Sequence, residues 1–211
     1  MIININKPPG WTSFDVVKKV RGIINEKKVG HAGTLDPFAT GVLILGTGSD
    51  TKKLSDISLS NKTYIADLTL GIETDTYDCD GNTILKAKIP ELSQKIVEKI
   101  LESFKGLSKQ TPPMYSAKKV NGVRLYKLAR QNKIVKRDPI EINIHDIQLI
   151  KLKSSTITFQ VTCSKGTYVR VLGYDIAKNL GTVGFLSALE RISVGPYNIT
   201  ESKLIEEVGV L

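Results

Sequence analysis

Stretches rich in β-branched residues alternate with helix-like stretches in this chain, but never in a strict strand–helix–strand rhythm, and that irregular order is what most limits its fold. Residues 2–5 predict a short strand that runs into the turn Lys7-Pro8-Pro9-Gly10. Thr12 or Ser13 then caps a helix with Val16, Val17, Val20, Ile23 and Ile24 on one face. Residues 30–41 predict a loop and 42–45 a buried strand. Residues 63–70 alternate as a strand with Tyr64 near its start, 75–81 carry turn chemistry, and 83–89 suggest a partner strand. Ile96, Val97, Ile100, Leu101 and Phe104 mark a second helix ended by Gly106, and a short helix is expected around 123–130. Strands at 139–152 and 156–163 precede a helix over 171–180, stopped by Gly181, and a shorter helix over 185–191. The expected class is α+β, with no internal repeat and no linker to divide residues 1–211 into more than one domain.

With 41% hydrophobic and 24% charged residues, the chain has globular proportions, which excludes a disordered or collagen-like polymer. Cys79 and Cys163 are the only cysteines and form no CxxC pair, so neither a disulfide framework nor a zinc site of ordinary spacing is expected. The first residues lack a basic stretch followed by an apolar one, and no apolar run approaches the eighteen residues of a membrane helix. The expectation is a cytoplasmic protein with no membrane partner.

Charge narrows the partner. Thirty Lys+Arg against 21 Asp+Glu give +9, which suits a polyanion. Ten basic residues and no acid occupy residues 105–137, while acids concentrate between Asp67 and Asp80. A basic run is as often a solvated face. Tyr115 and Tyr126 lie inside this one, however, and cations beside aromatic rings are what RNA contact requires.

Several chemistries fail on spacing. Gly46-Thr47-Gly48 lacks the third glycine of a dinucleotide loop, and no glycine loop closes with G-K-[ST]. A calcium loop beginning at Thr76 would need its glutamate where Ala87 stands. His31 and His145 form no metal-binding cluster, and no G-x-S-x-G elbow occurs. What remains is the run Gly30-His31-Ala32-Gly33-Thr34-Leu35-Asp36-Pro37-Phe38-Ala39-Thr40-Gly41, in which three glycines and a proline stiffen a loop carrying one acid and one imidazole. Asp36 could do no more than start its own turn. Tyr64 could be an ordinary half-buried sheet tyrosine, and Arg170 a surface ion pair of little energetic value. An arginine facing a loop aspartate would instead keep it ionised and oriented, as a nucleophile or base needs.

These residues fall in blocks that resemble the bacterial TruB-type family of tRNA pseudouridine-55 synthases. Ile5-Asn6-Lys7-Pro8-Pro9-Gly10-Trp11-Thr12-Ser13 is similar to its opening motif, and the run from Gly30 to Gly41 to its catalytic loop. Lys62-Thr63-Tyr64, and Thr74-Asp75-Thr76 through Asp78 to Asp80-Gly81, resemble the next two blocks. Gln110-Thr111-Pro112-Pro113-Met114-Tyr115-Ser116-Ala117-Lys118 resembles the start of an RNA-gripping thumb, and Cys163-Ser164-Lys165-Gly166-Thr167-Tyr168-Val169-Arg170 the arginine block.

The resemblance implies a pseudouridine synthase fold: a mixed, mainly antiparallel sheet flanked by helices, with a thumb-like basic insertion at about 105–137. It implies an isomerase that needs no cofactor and no metal, acts as a monomer, and works on the T-arm stem-loop of tRNA. Chemistry on a base requires that the base leave its stack. Asp36 would be the catalytic carboxylate, attacking sugar or base or taking a sugar proton. Tyr64 would stack on the flipped uracil, Arg170 would pair with Asp36, and Tyr168 and Leu189 would line the base pocket. His31 would fill the gap left by the flipped base. Asp78 is expected among the polar contacts, and Lys7 as support for the fold that also reaches a phosphate. Family members commonly continue into a C-terminal domain of the PUA type. The roughly twenty residues after Arg191 fall short of the forty or so that an unaided fold needs, so a catalytic domain alone is expected. Two other readings share this scaffold: a synthase for another RNA uridine, and a non-catalytic RNA-binding or RNA-folding module.

Overall fold

The computed structural model describes residues 1–120, 122–131 and 133–210. In chain order its elements begin with β1 (Ile2–Lys7), α1 (Ser13–Ile24), β2 (Val29–Ala32), β3 (Thr40–Thr47), α2 (Leu54–Leu59) and β4 (Lys62–Leu70). They continue with β5 (Ile72–Thr74), β6 (Thr83–Lys86), α3 (Gln94–Glu102), β7 (Gly106–Gln110), β8 (Lys119–Val120), β9 (Val123–Arg124) and α4 (Leu125–Ala129). The last are β10 (Ile140–Leu152), β11 (Thr156–Cys163), α5 (Val169–Asn179), β12 (Gly184–Val194) and β13 (Tyr197–Asn198). The mixed order is α+β, as expected. Contacts group the chain into two compact units, Met1–Ile65 with Leu189–Leu211, and Ala66–Ala188.

The first unit is built around β3. Val42, Leu43, Ile44 and Leu45 are all fully buried, and such an unbroken apolar run marks a strand covered on both faces. β1 pairs with β3 antiparallel from Ile2↔Gly46 to Lys7↔Gly41, β2 pairs with it antiparallel, and β12 parallel through Glu190↔Thr40 and Arg191↔Gly41. Val16, Val17 and Val20 of α1 join this core, each burial worth about 1.5–3 kcal/mol. The helix starts with a capping box: the Thr12 hydroxyl accepts from the Asp15 N–H, and the Asp15 carboxylate accepts from the Thr12 N–H. Bonds donated to the Asp15 carboxylate by the Thr12 hydroxyl and the Thr12 N–H hold it below the usual carboxylate range.

Two expectations need correction here. The loop expected over 30–41 is shorter, because residues 30–32 belong to β2 and 40–41 to β3; the two glycines at its ends hide strands that β3 holds by pairing. The helix expected over 185–191 is the middle of β12. Its alternation slips at Ser187-Ala188, so the buried Leu186 and Leu189 stand three apart, as they would on a helix. Short apolar runs carry that ambiguity.

In the second unit the strand order is β4-β11-β10-β7. β10 pairs antiparallel with β11, for instance Ile147↔Val161, and with β7, for instance Ile142↔Ser108. Leu68, Leu101, Ile144, Ile157, Phe159 and Ile176 are its buried centre. Gly106 begins β7, which the sequence reading missed; α3 already ends at Glu102, where Ser103 caps it. The strand expected at 83–89 pairs with β5 in a separate two-stranded sheet. Around 123–130, a two-residue strand pairing with β8 comes before α4, so the helix is shorter than expected. Leu125 is fully buried and anchors this part of the basic segment. Residues 121 and 132 of that segment lie outside the described residues.

Candidate active site

Seven residues, 33–39, remain as the loop that carries Asp36, and three side chains from distant parts of the first unit hold it. Ser13, the first residue of α1 and 2% exposed, both donates to the Leu35 carbonyl (3.2 Å) and accepts from the Leu35 N–H (2.9 Å). The Lys7 ammonium is buried and donates to the carbonyls of Pro8 (2.8 Å), Trp11 (2.7 Å) and Pro37 (3.1 Å). Pro37 also accepts from the Gly10 N–H at 2.8 Å. Asp36, half-buried, is therefore flanked by two residues whose backbones are fixed, and its own carbonyl closes a turn by accepting from the Ala39 N–H. Lys7 was expected to support the fold, with a phosphate contact besides. With three carbonyls on a fully buried ammonium it is an internal tie, which is that supporting role, since a buried cation needs acceptors in place of water.

Arg191 is the third of these side chains. At 1% exposure its Nε donates to the Val42 carbonyl (2.7 Å) and its Nη2 to the Gly33 carbonyl (3.0 Å), so one guanidinium bridges both ends of the loop. Gly41 sits beside it at φ +99°, where a Cβ would collide with the Arg191 carbonyl. Sequence reading missed Arg191 because it placed the residue in a helix. A basic residue two positions after Leu189 on a buried strand face would have been the signal. Leu189 (6% exposed) and Tyr64 (8%, on β4) are buried in the same unit, and His31 is half-buried on β2 opposite Leu45.

The second unit holds Asp78, Tyr168 and Arg170. Arg170, in the first turn of α5, is 3% exposed, which removes the surface ion pair as a reading. It lies 3.0 Å from the Asp78 carboxylate and donates to the carbonyls of Thr76 (2.8 Å) and Tyr115 (2.9 Å). Asp78 is itself fixed by its turn: its Oδ1 accepts from the Thr76 hydroxyl (2.6 Å) and the Asp80 N–H (3.1 Å). Tyr77 takes the left-handed conformation at φ +63°, rare for a bulky residue, and its ring lies 4.5 Å from that of Tyr174. Burial pushes the Tyr77 phenol above its ordinary pKa. Tyr168 is held through its backbone, where the buried Gln110 amide accepts from its N–H (2.8 Å) and donates to its carbonyl (3.1 Å). Gln110 heads the thumb-like block, and the sequence assigned it no role.

The first cation of the basic segment is taken up within the protein. Lys105 pairs with Glu102 (2.8 Å) and Asp146 (3.0 Å). The Arg130 guanidinium lies over the Tyr126 ring at 5.5 Å, and Arg137 donates to the Pro112 carbonyl. Among the described residues no helix is long and apolar enough to cross a membrane, and no three His, Cys, Asp or Glu side chains group as a metal site.

Comparison with known proteins gives one answer. A sequence profile described as TruB family pseudouridylate synthase (N terminal domain) matches residues 21–169. The chain is 47% identical over 205 residues to tRNA pseudouridine synthase B of Clostridium kluyveri, covering 97% of this chain and 71% of that protein. It is 46% identical over 198 residues to tRNA pseudouridine synthase B of Fusobacterium nucleatum, with 94% and 69% covered. Among solved structures it matches a chain of a Cbf5-Nop10-Gar1 complex with a TM-score of 0.77 at 28% identity, over 99% of this chain and 53% of that one. The fold recurs, at 24% identity and a TM-score of 0.73, in an H/ACA RNP bound to a substrate RNA containing 2′-deoxyuridine, over 99% of this chain and 52% of that one. A loop aspartate anchored on both sides, a buried arginine–aspartate pair, and a profile match over most of the sequence agree: this chain belongs to the TruB family of pseudouridylate synthases.

Proposed function

We propose that the chain converts uridine to pseudouridine at position 55 in the T loop of tRNA. The curated relatives are tRNA pseudouridine synthases, and the chain is an isomerase of that kind. The reaction breaks the N1–C1′ bond, turns the uracil while it is held, forms C5–C1′, and returns the C5 proton to solvent as N1 gains one. Substrate and product are isomers, so no redox partner or group donor is consumed. The observation that carries the reading is Asp36 itself, a carboxylate between two residues whose backbones are tied to α1 and β1. A group fixed in that way loses little freedom on approaching C1′, C6 or a sugar proton, which is how positioning lowers a barrier.

In this reading Tyr64 stacks on the flipped uracil, Tyr168 and Leu189 line its pocket, and His31 fills the space the base vacates. Arg170, itself oriented by Asp78, Thr76 and Tyr115, is assigned as the guanidinium partner of Asp36. The protein acts as a cytoplasmic monomer on the T-arm stem-loop. Mapping pseudouridine in tRNA transcripts after incubation tests the assignment: modification confined to position 55 supports it, and modification of another arm, or none, rejects it.

A further inference from the structure

Helix α1 turns an unusual face to solvent. Its exposed residues are Phe14, Asp15, Lys18, Lys19, Arg21 and Gly22, and Trp11 precedes it at 36% exposure. Phe14 is 62% exposed. Large apolar side chains on a helix normally face the core, which α1 supplies with Val16, Val17 and Val20 instead. An open cleft of about 520 Å³ runs along this face, lined by Gly10, Trp11, Asp15, Lys18, Lys19 and Gly22. Two lysines face one acid in this lining, so the cleft carries a net positive charge. The Gly10 rim is hydrogen-bonded to Pro37, the residue after Asp36.

We propose that this cleft is a second RNA subsite, in which an unpaired nucleotide stacks on Trp11 while the neighbouring phosphates meet Lys18 and Lys19. The assignment of RNA as the occupant rests on the function proposed above, on the charge of the cleft, and on the pairing of an exposed ring with cations. An aromatic platform accepts any base through its π-face, and lysines track the backbone without reading sequence. A protein partner would gain nothing from two neighbouring lysines at the centre of its contact, where interfaces are depleted in that residue. The subsite lengthens the grip on RNA beyond the flipped uridine and contributes to affinity rather than to chemistry.

Trp11 is the only tryptophan in the chain, so its fluorescence reports this cleft alone. A T-arm stem-loop transcript is titrated into the protein while filter binding and pseudouridine formation are followed in parallel. Expected is saturable quenching with the midpoint found by filter binding. Trp11→Ala should weaken binding at least fivefold, the lower limit of about 1 kcal/mol for one stacked base, with the saturated single-turnover rate unchanged. Lys18→Gln with Lys19→Gln should make the slope of log affinity against log salt shallower by about 1.4–1.8. Product formation on RNA that leaves Trp11 fluorescence and the Trp11→Ala affinity unmoved would overturn the subsite and leave the enzyme reading intact. Quenching without product would support the subsite and reject the enzyme reading.

Discussion

Arg170 and Asp78 face one another at 3.0 Å with side chains 3% and 6% exposed, so neither charge has water to fall back on. A buried pair of this kind is costly to break from one side, because the remaining charge is left desolvated. Asp78→Asn should therefore destabilise the fold by about 3 kcal/mol, measured by urea denaturation. A loss below about 1 kcal/mol would mean that the arginine's other partners, the carbonyls of Thr76 and Tyr115 among them, satisfy it without Asp78.

Arg191 bridges Gly33 and Val42 across the ends of the loop that carries Asp36. Arg191→Met leaves the buried Val42 carbonyl and the half-buried Gly33 carbonyl without this donor, and the buried one alone should cost about 1–3 kcal/mol. Arg191→Lys restores the charge without the fork that reaches two acceptors. The expected result for the lysine variant is a folded protein with near-normal RNA affinity and a single-turnover rate lowered at least tenfold. An unchanged rate would show that the loop keeps its shape without this bridge.

Lys7 separates an internal tie from an RNA contact. Lys7→Met should lower the midpoint of urea unfolding and the single-turnover rate, since the Pro8, Trp11 and Pro37 carbonyls lose a common donor. It should leave the salt dependence of RNA binding unchanged. A shallower slope, by about 0.7–0.9, would give Lys7 the phosphate contact as well as the supporting role.

Legibility in the sequence followed the strength of local signals. The capping box at Thr12 and the β-branched run of β11 were readable because capping chemistry and strand propensity agree with the tertiary structure there. β12 was not, since the slip at Ser187-Ala188 imitates a helical spacing, and with it went Arg191. β2 was hidden by glycines that pairing with β3 overrides. The candidate residues were legible as motif blocks, but the fixing of Asp36 from both sides was not. That depends on Ser13, Lys7 and Arg191, which meet the loop only in three dimensions.

The basic segment is expected to act through phosphates. Replacing Lys118, Lys119 and Lys127 with glutamine should weaken RNA binding and reduce the salt slope by about two to three. Hydrogen exchange over the described residues of 114–137 should be fast in the free protein and slowed when a T-arm stem-loop is bound, because among them few apolar groups besides Leu125 and Ala129 are buried. An unchanged salt slope in the triple variant, or equal exchange with and without RNA, would contradict this.

The central claim is that the Asp36 carboxylate performs the isomerisation, and tritium release from tRNA labelled at uridine C5 measures it. The wild-type protein should release tritium in step with pseudouridine formation. Asp36→Asn, which keeps the shape of the side chain and removes its anion, should release none above background while binding the same RNA within tenfold, about 1.4 kcal/mol. Tritium release by Asp36→Asn at more than trace rate would contradict the account.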